Sequence, residues 1–506
     1  MNGVVTPLIV DMGALNRAIT TLLNPEFIFF LVLGVLLGII VGATPGIGAS
    51  VGMALLIPLT FPMDGLTAFV LLIGIYSGSA YAGSVPAVLI NTPGGGASAA
   101  AVFEGYPLAQ KGKAKDAIAA TAAASAIGGS FAILVLFPVL QQILPIIQMF
   151  GSPEYFLITL MGLSLITIIS RGAIIKGIMA GMFGMMITTI GFSSGGGTRY
   201  TFGQLILSDG INFIAVLLGV FALSEMLKLA KEGGTISNTT GNVEGSALNG
   251  LKETIKRPII LMKSGLIGVF VGAVPGAGST LATFLGYAEA IRSSDDPDSF
   301  GEGNMDGVVA VDSANNGTIA GALLPTLAFG IPGGAATAVL LGALLMHGLQ
   351  PGPAMFGTEI HMTYTILLSL LIGNIVILVA GVFFINKTAV VTKIDVDILI
   401  PMVIVLAMAG GFLLRNNWVD PVTVFLMGLL GYFMKKYDYS VIALLLGVIL
   451  GPLTEEYFLR SLQVSGFDFS IFYDSLLSKV LLVVMLAMVF GPMVKEIIES
   501  VRGGSA

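Results

Sequence analysis

The segment VGATPGIGAS, residues 41–50, decides how this chain of 506 residues folds. It interrupts a long apolar run with a Pro-Gly pair, and a close copy, VGAVPGAGST, occupies residues 271–280. Proline removes a backbone donor from a helix, and glycine permits backbone conformations that other residues avoid. The two segments therefore predict helix breaks at matching points of two halves of the chain.

A second pair of segments shows the same relation. GSVPAVLINTPGGGAS, residues 83–98, matches ALLPTLAFGIPGGAAT, residues 322–337, with prolines at equal places. All four breaks follow one rule, namely Pro-Gly, three small or apolar residues, and then Ser or Thr. Four matches at equivalent places predict an internal repeat in which each half carries two broken-helix or re-entrant hairpins.

The composition places these breaks in a membrane protein. The chain is 55% hydrophobic and 10% charged, whereas a soluble domain is about 25% charged. Apolar runs such as residues 27–43 and 365–385 are long enough to cross a bilayer as helices, and about nine to twelve of them are expected. The chain has no cysteine and only two histidines, which excludes disulfides, thiolate catalysis and histidine-rich metal clusters. The sequence therefore predicts an all-α polytopic membrane protein.

The basic residues predict that the two halves are inverted. Basic loops remain on the cytoplasmic side of a membrane. In the first half the basic cluster follows the hairpins and consists of Lys111, Lys113 and Lys115. In the second half it precedes them and consists of Lys252, Lys256, Arg257 and Lys263. Equivalent loops would then lie on opposite faces, with the N-terminus outside and the C-terminus inside.

The repeat also sets the expected domain boundaries. Residues 1–26 are an N-terminal lead, and residues 27–230 are the first inverted repeat, with its hairpin region at 44–104. Residues 231–263 are a cytoplasmic linker, and residues 264–500 are the second repeat plus C-terminal helices, with a hairpin region at 274–347. The polar stretches 231–257 and 292–306, rich in Gly, Ser, Asn and Asp, are expected to be loops.

The helix breaks are candidate anion sites. Broken helices survive at membrane depth only where they are buried in protein or line a cavity, and each new helix begins with free amides and a positive dipole end. Paired interrupted segments are the expected place for a secondary transporter's binding site. The substrate candidates are Thr44, Pro45, Gly46, Ser50, Asn91, Thr92, Pro93, Gly94, Gly95, Ser98, Pro275, Gly276, Pro332, Gly333, Gly334 and Thr337.

Each of these features also has a plainer interpretation. Glycine-rich breaks can be packing kinks, since small residues are common where membrane helices touch. The glycines spaced four apart, Gly34, Gly38 and Gly42 with Gly268 and Gly272, are assigned only to close helix contact. Asn91 and Thr92 could serve merely as helix caps.

A polar run at probable membrane depth is the candidate cation site. DSANNGT, residues 312–318, offers one carboxylate, two side-chain amides and hydroxyls, and ionisable residues inside a membrane are functional candidates. The alternative is that Asp312 caps a helix at the membrane surface. The candidate Na⁺ ligands are Ser50, Thr280, Asp312, Asn315, Asn316 and Thr318.

Catalytic motifs are scarce. GFSSG, residues 191–195, formally fits the Gly-x-Ser-x-Gly elbow, but nothing predicts the strand-turn-helix that this motif needs. There is no Walker, HExxH or dinucleotide motif, so we expect no enzyme activity, no organic cofactor and no nucleic-acid partner. Two alternatives to a transporter stay open: an organic anion channel that uses the same helix dipoles, and an intramembrane hydrolase that uses Ser193.

Several stretches together carry a family resemblance. They are GATPGIGASVGMALLIPLTF (42–61), NTPGGGASAAAVFEGYPLAQKG (91–112), RYTFGQLILSDGI (199–211), DSANNGTIAGALLPTLAFGIPGG (312–334) and ALLMHGLQPGP (343–353), with GYFMKKYDYS (431–440) and GVILGPLTEEYF (447–458) beyond them. In these the chain resembles the large, TctA-type membrane subunit of the tripartite tricarboxylate transporters. Glu104 and Asp312 depart from the family, which usually has Asp and Glu at these places.

The resemblance implies secondary import of tricarboxylates such as citrate, or of related organic carboxylates, coupled to Na⁺ or H⁺ and driven by an elevator-like movement. It implies a periplasmic solute-binding protein and a small membrane subunit as partners, in the lipid of a bacterial inner membrane. It also implies separate transport and scaffold regions and allows a homodimer.

Overall fold

A computed structural model of the protein describes residues 11–169, 174–193, 195–232, 244–384 and 396–486. Within these residues, six helices are long and apolar enough to cross a membrane: Pro25–Ala43, Gly65–Ile90, Ala114–Leu140, Phe213–Lys231, Ile360–Phe383 and Val441–Val464. The prediction of an all-α, multi-pass membrane protein is confirmed. Further apolar helices are shorter, and the expected nine to twelve spans remain a prediction.

Several helices of the first half begin at a residue whose side chain caps the helix. Asp11, Asn24 and Asp64 accept backbone hydrogen bonds at the starts of helices, which satisfies amides that have no partner within the helix. The helices are α1 (Met12–Leu22), α2 (Pro25–Ala43), α3 (Ala49–Leu56), α4 (Gly65–Ala82), α5 (Ser84–Ile90), α6 (Ala101–Gln110), α7 (Ala114–Gln148), α8 (Ser152–Ile169), α9 (Ile174–Thr188), α10 (Phe213–Leu217) and α11 (Ser224–Glu232).

A π-helical turn at Leu218–Leu223 joins α10 to α11. The two short strands, β1 (Gly191–Phe192) and β2 (Thr198–Arg199), form an antiparallel hairpin between α9 and α10.

The second half repeats the order of the first around its own breaks. Asn304 caps the long α15 by accepting from the Asp306 amide. The helices are α12 (Ala247–Ile255), α13 (Pro258–Ala273), α14 (Gly278–Arg292), α15 (Met305–Phe329), α16 (Ala335–Met346), α17 (Pro353–Phe356), α18 (Ile360–Phe383), α19 (Val396–Leu413), α20 (Val419–Lys436), α21 (Val441–Val464) and α22 (Leu476–Leu486).

Glycines bring two pairs of helices into backbone contact. A Cβ at Gly34, Gly38 or Gly42 of α2 would collide with successive carbonyl oxygens of α4, at Leu71, Ile75 and Ser79. In the second half, a Cβ at Gly268 or Gly272 of α13 would collide with the carbonyl oxygens of Ala314 and Thr318 on α15. The prediction of close helix contact at these glycines is confirmed, and the two contacts are equivalent.

The chain divides into two compact units. The first comprises Met1–Pro145 and Phe221–Gly410, and the second comprises Ile146–Val220 and Gly411–Ala506. Both hairpin regions, 44–104 and 274–347, belong to the first unit. This division differs from the one predicted from the repeat, so the bounds of the inverted repeats stay a prediction.

One expected loop is a helix in part. Residues 247–255 form α12 and α13 begins at Pro258, so the prediction of a loop over 231–257 is wrong at residues 247–255. In ALNGLKETI the apolar residues recur at helical spacing and share one face. The Gly and Asn residues nevertheless make this segment resemble a loop. Residues 292–306 form the expected irregular connection, with a short 3₁₀ turn at Pro297–Ser299. Residues 1–10, 233–243 and 487–500 of the predicted domains lie outside the described residues.

Candidate functional site

The first break of each half starts with the same backbone conformation, and the two breaks then differ at Gly48, with φ −74°, and Gly278, with φ 71°. Helix α2 ends at Ala43 and α3 begins at Ala49, while α13 ends at Ala273 and α14 begins at Gly278. Thr44 adopts φ −85° and ψ 113°, and its counterpart Val274 adopts φ −84° and ψ 110°. Two residues later, Gly46 and Gly276 have φ of 81° and 77°, in the left-handed region that favours glycine.

The second breaks also match. Asn91, after α5, adopts φ 57° and ψ 24°, and Gly330, after α15, adopts φ 67° and ψ 22°. Both residues therefore end their helices in the left-handed conformation. Asn91 and Thr92 are exposed, and Asn91 occupies the cap position that the plainer interpretation gave it.

The structure brings all four breaks together within the first unit. A Cβ at Gly95 would lie 3.5 Å from the Gly48 Cα, and one at Gly334 would lie 3.5 Å from the Gly278 Cα. The two halves meet where a Cβ at Gly96 would lie 3.0 Å from the Thr280 hydroxyl oxygen. The breaks thus converge, as the repeat in the sequence predicted.

Side chains are excluded at the crossing points inside each half. A Cβ at Gly94 would collide with the Gly42 carbonyl oxygen, and one at Gly333 would lie 2.8 Å from the Gly272 carbonyl oxygen. Hydrogen bonds tie the same places together: the Gly94 amide donates to the Gly83 carbonyl at 3.0 Å, and the Gly276 amide donates to the Gly333 carbonyl at 3.1 Å. Pro45, Pro93, Pro275 and Pro332 all lie within these turns.

Helices α3 and α14 begin at the breaks without a side-chain cap. Neither Gly48 before α3 nor Ala277 before α14 supplies a capping side chain. The first amides of both helices are therefore available to an anion, which the helix dipole also favours. Ser50 and Thr280 lie in these first turns and are half-buried.

The other two predicted hydroxyls are placed differently. Thr337 is fully buried, and its hydroxyl accepts from the Gly334 amide at 2.9 Å and donates to the Gly334 carbonyl at 3.0 Å. It caps α16, so its hydroxyl is already engaged rather than free for a ligand. Ser98 is buried against Gly83.

Asp312 lies inside α15 and its side chain is completely buried. The alternative that it caps a helix at the membrane surface is therefore wrong. The Ser84 hydroxyl, at the start of α5, donates to Asp312 Oδ1 at 2.7 Å. The second carboxylate oxygen, Oδ2, has no hydrogen-bond partner among the described residues.

Two amides follow Asp312 on the same helix. The Asn315 side-chain NH₂ donates to the Ala80 carbonyl at 3.0 Å, while its Oδ1 has no partner in the described part of the chain. Neither the oxygen nor the nitrogen of the Asn316 side chain has a hydrogen-bond partner among the described residues. The Thr318 hydroxyl instead donates to the Ala314 carbonyl of its own helix at 2.7 Å. Asp312 and Asn315 therefore both contact the α4–α5 segment, Asn316 lies beside Gly129 of α7, and the Thr318 hydroxyl is engaged within its own helix.

Helix α4 contributes further polar groups. The hydroxyls of Ser77, Ser79 and Tyr81 are buried and lack a partner among the described residues, and Tyr81 lies within electrostatic range of Asp312. A buried polar group without a hydrogen bond costs about 1–3 kcal/mol. The Ser77 and Tyr81 hydroxyls lie beside Gly373 and Gly381 of α18. Several unsatisfied groups where α4, α15 and α18 pack together indicate that a ligand, ion or water completes this part of the structure.

The donor set fits a singly charged cation. Asp312 supplies one negative charge, and the other groups on α4 and α15 are neutral oxygens. In the described residues no three His, Asp or Glu side chains come close enough to hold a metal ion together. A buried charge requires a partner of opposite sign, and one carboxylate balances one monovalent ion.

Glu104 organises the approach to this helix. It is buried on α6 and accepts from the Tyr287 hydroxyl at 2.7 Å and from the amides of Gly301, Gly303 and Asn304 at 2.6, 2.8 and 2.6 Å. Its carboxylate therefore fixes the connection that leads into α15. In the sequence, Glu104 is notable only as a departure from the family. Its role could not be predicted, because its hydrogen-bond donors are backbone amides of a distant loop, which have no sequence pattern near Glu104.

The GFSSG motif does not form a nucleophile elbow. It lies in the β1–β2 hairpin, where residues 195–197 form a turn rather than the start of a helix. The Ser193 hydroxyl donates to Glu455 Oε1 at 2.9 Å, and Arg199 pairs with the same carboxylate at 2.7 Å. His347 contacts the Thr60 hydroxyl at 2.9 Å.

Comparison with known proteins places the chain among bacterial relatives. It is similar to the "Uncharacterized 52.8 kDa protein in TAR-I ttuC' 3'region" of Agrobacterium vitis, with 33% identity over 479 residues, which cover 94% of this chain and 95% of that protein. The "Uncharacterized protein in TAR-II ttuC' 3'region" of the same organism is 31% identical over 205 residues, or 40% of this chain and 85% of that protein. No solved structure matches the chain.

The tripartite tricarboxylate transporter TctA family matches residues 28–446. This match contains all four helix breaks, Glu104 and the Asp312 helix. The family is one of transporters rather than enzymes. The chain therefore belongs to the tripartite tricarboxylate transporter TctA family.

Proposed function

We propose that the protein is the membrane permease of a binding-protein-dependent secondary transporter that imports tricarboxylates such as citrate, or related organic carboxylates, together with Na⁺. Family membership supplies the transporter class. The observation that carries the finer proposal is the meeting of four helix breaks beside a buried carboxylate with an unpartnered oxygen.

The breaks hold the anion in this proposal. The uncapped first turns of α3 and α14 present amides and the positive ends of two helix dipoles, and such ends bind carboxylates. The glycines at the crossing points let the breaks pack backbone against backbone, which holds these helix starts in place for the substrate. Ser50 and Thr280 add hydroxyls next to those amides.

The Asp312 cluster holds the cation. Na⁺ prefers oxygen donors, and Asp312, Asn315 and Asn316 offer one charged oxygen and two amide oxygens, supplemented by hydroxyls of α4. Without the ion, a charged Asp312 would keep only one hydrogen bond, which is costly at low dielectric. The cation therefore stabilises the arrangement of α4 and α15.

The two sites are coupled through Ser84 and Gly83. Ser84 donates to Asp312, and the preceding Gly83 accepts from the Gly94 amide at the break. A cation at Asp312 fixes Ser84 and so fixes one wall of the anion site. The opposite charges of the two solutes also attract each other more strongly in a buried site than in water. Each solute therefore raises the affinity for the other.

The wider arrangement follows the family. The halves form an inverted repeat in the bacterial inner membrane, with the N-terminus outside and the C-terminus inside. The first unit is the transport region, which moves in an elevator-like cycle, and the second unit is the scaffold. A periplasmic binding protein delivers the substrate, and a small membrane subunit completes the transporter.

Uptake by proteoliposomes tests this function. The protein, with its small subunit and candidate binding protein, is reconstituted, and uptake of labelled citrate and other carboxylates is measured under imposed Na⁺ or proton gradients. We expect uptake to require both the Na⁺ gradient and the binding protein. Uptake that follows the substrate gradient without either would show an anion channel, and uptake driven by protons alone would replace Na⁺ as the coupling ion.

A further inference from the structure

The second unit contains a membrane-facing groove that the proposed transport site does not use. It is a cavity of about 440 Å³ lined by α9, the end of α20 and the start of α21. Its walls carry the exposed side chains Met182, Phe183 and Phe433. Its floor is the completely buried Leu444. The lining is almost entirely apolar.

Glycine contacts explain why the groove exists. A Cβ at Gly184 of α9 would collide with the Leu444 carbonyl oxygen, and one at Gly447 of α21 would collide with the Gly181 carbonyl oxygen. These helices therefore lie at backbone contact. Bulky residues at the end of α20 form the opposite wall of the groove. An open channel is left between α9 and α20. Packing of the helices, rather than mobility, maintains it.

One end of the groove is basic. Lys176 Nζ donates to the Tyr437 carbonyl at 2.8 Å and lies 5.4 Å from the centre of the Tyr439 ring. Lys436 Nζ lies 5.2 Å from the centre of the Tyr437 ring. Neither lysine has a carboxylate partner among the described residues. Asp438 is the acidic residue in the turn between them, and it is exposed.

We infer that this groove binds an anionic phospholipid, with an acyl chain along the methionine-rich walls and the phosphate group at Lys176 and Lys436. A volume of this size suits a chain-like ligand, and methionine side chains adapt to flexible apolar partners. The two lysines favour an anionic ligand, because neither a neutral lipid nor an apolar helix of another subunit would bring a negative charge to them. Basic pockets between membrane helices bind anionic headgroups in this way.

The position of the lysines agrees with the predicted topology. Lys176 lies in the first turn of α9 and Lys436 ends α20, and the rule that basic residues stay on the cytoplasmic side places both helix ends inside, as it does the C-terminus. Anionic lipid is attracted to basic groups there, and each lysine near the surface contributes on the order of fivefold in affinity. Tyr437 and Tyr439 stand at the same level, where aromatic residues favour the membrane interface.

The test measures lipid binding to the purified full-length protein. Native mass spectrometry compares phosphatidylglycerol with phosphatidylcholine of the same acyl chains, for the natural protein and for the double variant Lys176→Gln/Lys436→Gln. Lys479→Gln, an exposed lysine of the same unit, is the matched control. We expect phosphatidylglycerol to bind more tightly than phosphatidylcholine, and the double variant alone to lose that preference.

A groove-filling variant tests the location. Met182 is exposed, so Met182→Trp fills the channel without disturbing the core, and we expect it to reduce the binding of both lipids. Equal affinity for the two lipids in the natural protein, or an unchanged preference in the double variant, overturns the inference. A shift in oligomeric state or loss of the small subunit with Met182→Trp would show that a protein helix occupies the groove, and overturns it as well.

Discussion

The two pairs of helix breaks in this protein begin with the same backbone conformation but differ in chemistry. Thr44 and Val274 differ by a few degrees in both dihedral angles, and Gly38 and Gly268 press on equivalent carbonyls at Ile75 and Ala314. Asp312 lies two residues before Ala314 on α15, and the equivalent residue, two before Ile75 on α4, is Ile73. The comparison shows that the repeat preserves the geometry of the breaks, whereas the charge belongs to one half.

The helices that precede the second breaks differ in continuity as well. Helix α15 runs unbroken from Met305 to Phe329 through Pro325, while its counterpart stops at Ala82 and resumes at Ser84 as α5. The interruption brings the Ser84 hydroxyl to Asp312. The first half thus supplies a hydrogen bond to the carboxylate that the second half owns, and neither half could form this contact alone.

The largest effect is expected where the two halves are most alike. Gly94→Val and Gly333→Val each place a side chain against backbone at the crossing of a break, and we expect substrate affinity to fall roughly a hundredfold or more, as when a site is displaced by about 1 Å. Binding titration on the purified protein measures this. Gly195→Val, in an exposed loop, is the control. Normal affinity in Gly94→Val would count against a backbone-mediated anion site.

The next effect is confined to the second half. Asp312→Asn removes the single buried charge of the cluster, and we expect the Na⁺ concentration for half-maximal uptake to rise on the order of tenfold or more, within the usual range of coupling between sites. Asp306→Asn is the control, because Asp306 lies on the same helix but pairs with Arg257. An unchanged Na⁺ response would remove Asp312 from the ion site.

A smaller effect is expected from the contact between the halves. Ser84→Ala deletes one hydrogen bond to a carboxylate, worth about 1.5–3 kcal/mol, and should weaken Na⁺ affinity while leaving the substrate affinity at saturating Na⁺ nearly unchanged. Uptake as a function of Na⁺ and of substrate separates the two. Ser130→Ala is the control, because the Ser130 hydroxyl accepts from the Asn374 side-chain amide rather than donating to Asp312. Equal losses at every Na⁺ concentration would mean that Ser84 shapes only the anion site.

The smallest effect belongs to the second unit. Ser193 donates to the Glu455 carboxylate in a loop hairpin. The lost bond is worth about 1.5–3 kcal/mol of stability to that hairpin, and because the proposed site is elsewhere, Ser193→Ala should leave uptake nearly unchanged. Transport assays alongside the natural protein measure it. Complete loss of activity in a variant that still folds would revive the hydrolase alternative.

Local patterns in the sequence predicted what depends on local chemistry. The Pro-Gly pairs gave the four break positions because proline and glycine act on their own backbone, and the apolar context showed that Asp312 would be unusual. The partner of Asp312 could not be found in this way, because Ser84 is an ordinary serine until the halves fold together. Glu104 is similar, since its donors are loop amides, which every sequence contains.

Other differences arose where two local explanations competed. The rule of a hydroxyl after each break suggested four equivalent ligands, yet Thr337 satisfies the first turn of its own helix. Short hydroxyl side chains bond nearby backbone as readily as a ligand, and sequence cannot decide between the two. Helix α12 was missed because its Gly and Asn residues resemble a loop, although it packs against α13 and α15.

The burial of α15 has a consequence for how the protein is made. This helix carries a carboxylate and two amides and is not among the described helices that are apolar enough to cross a membrane unaided. An aspartate at the centre of a span opposes insertion by about 2.5–3.5 kcal/mol. Helix α13 emerges from the ribosome first, and its glycine face receives α15 at backbone depth. Because α13 is synthesised first, it can provide the surface against which α15 packs. We therefore expect α15 to enter the bilayer only after α13 is in place.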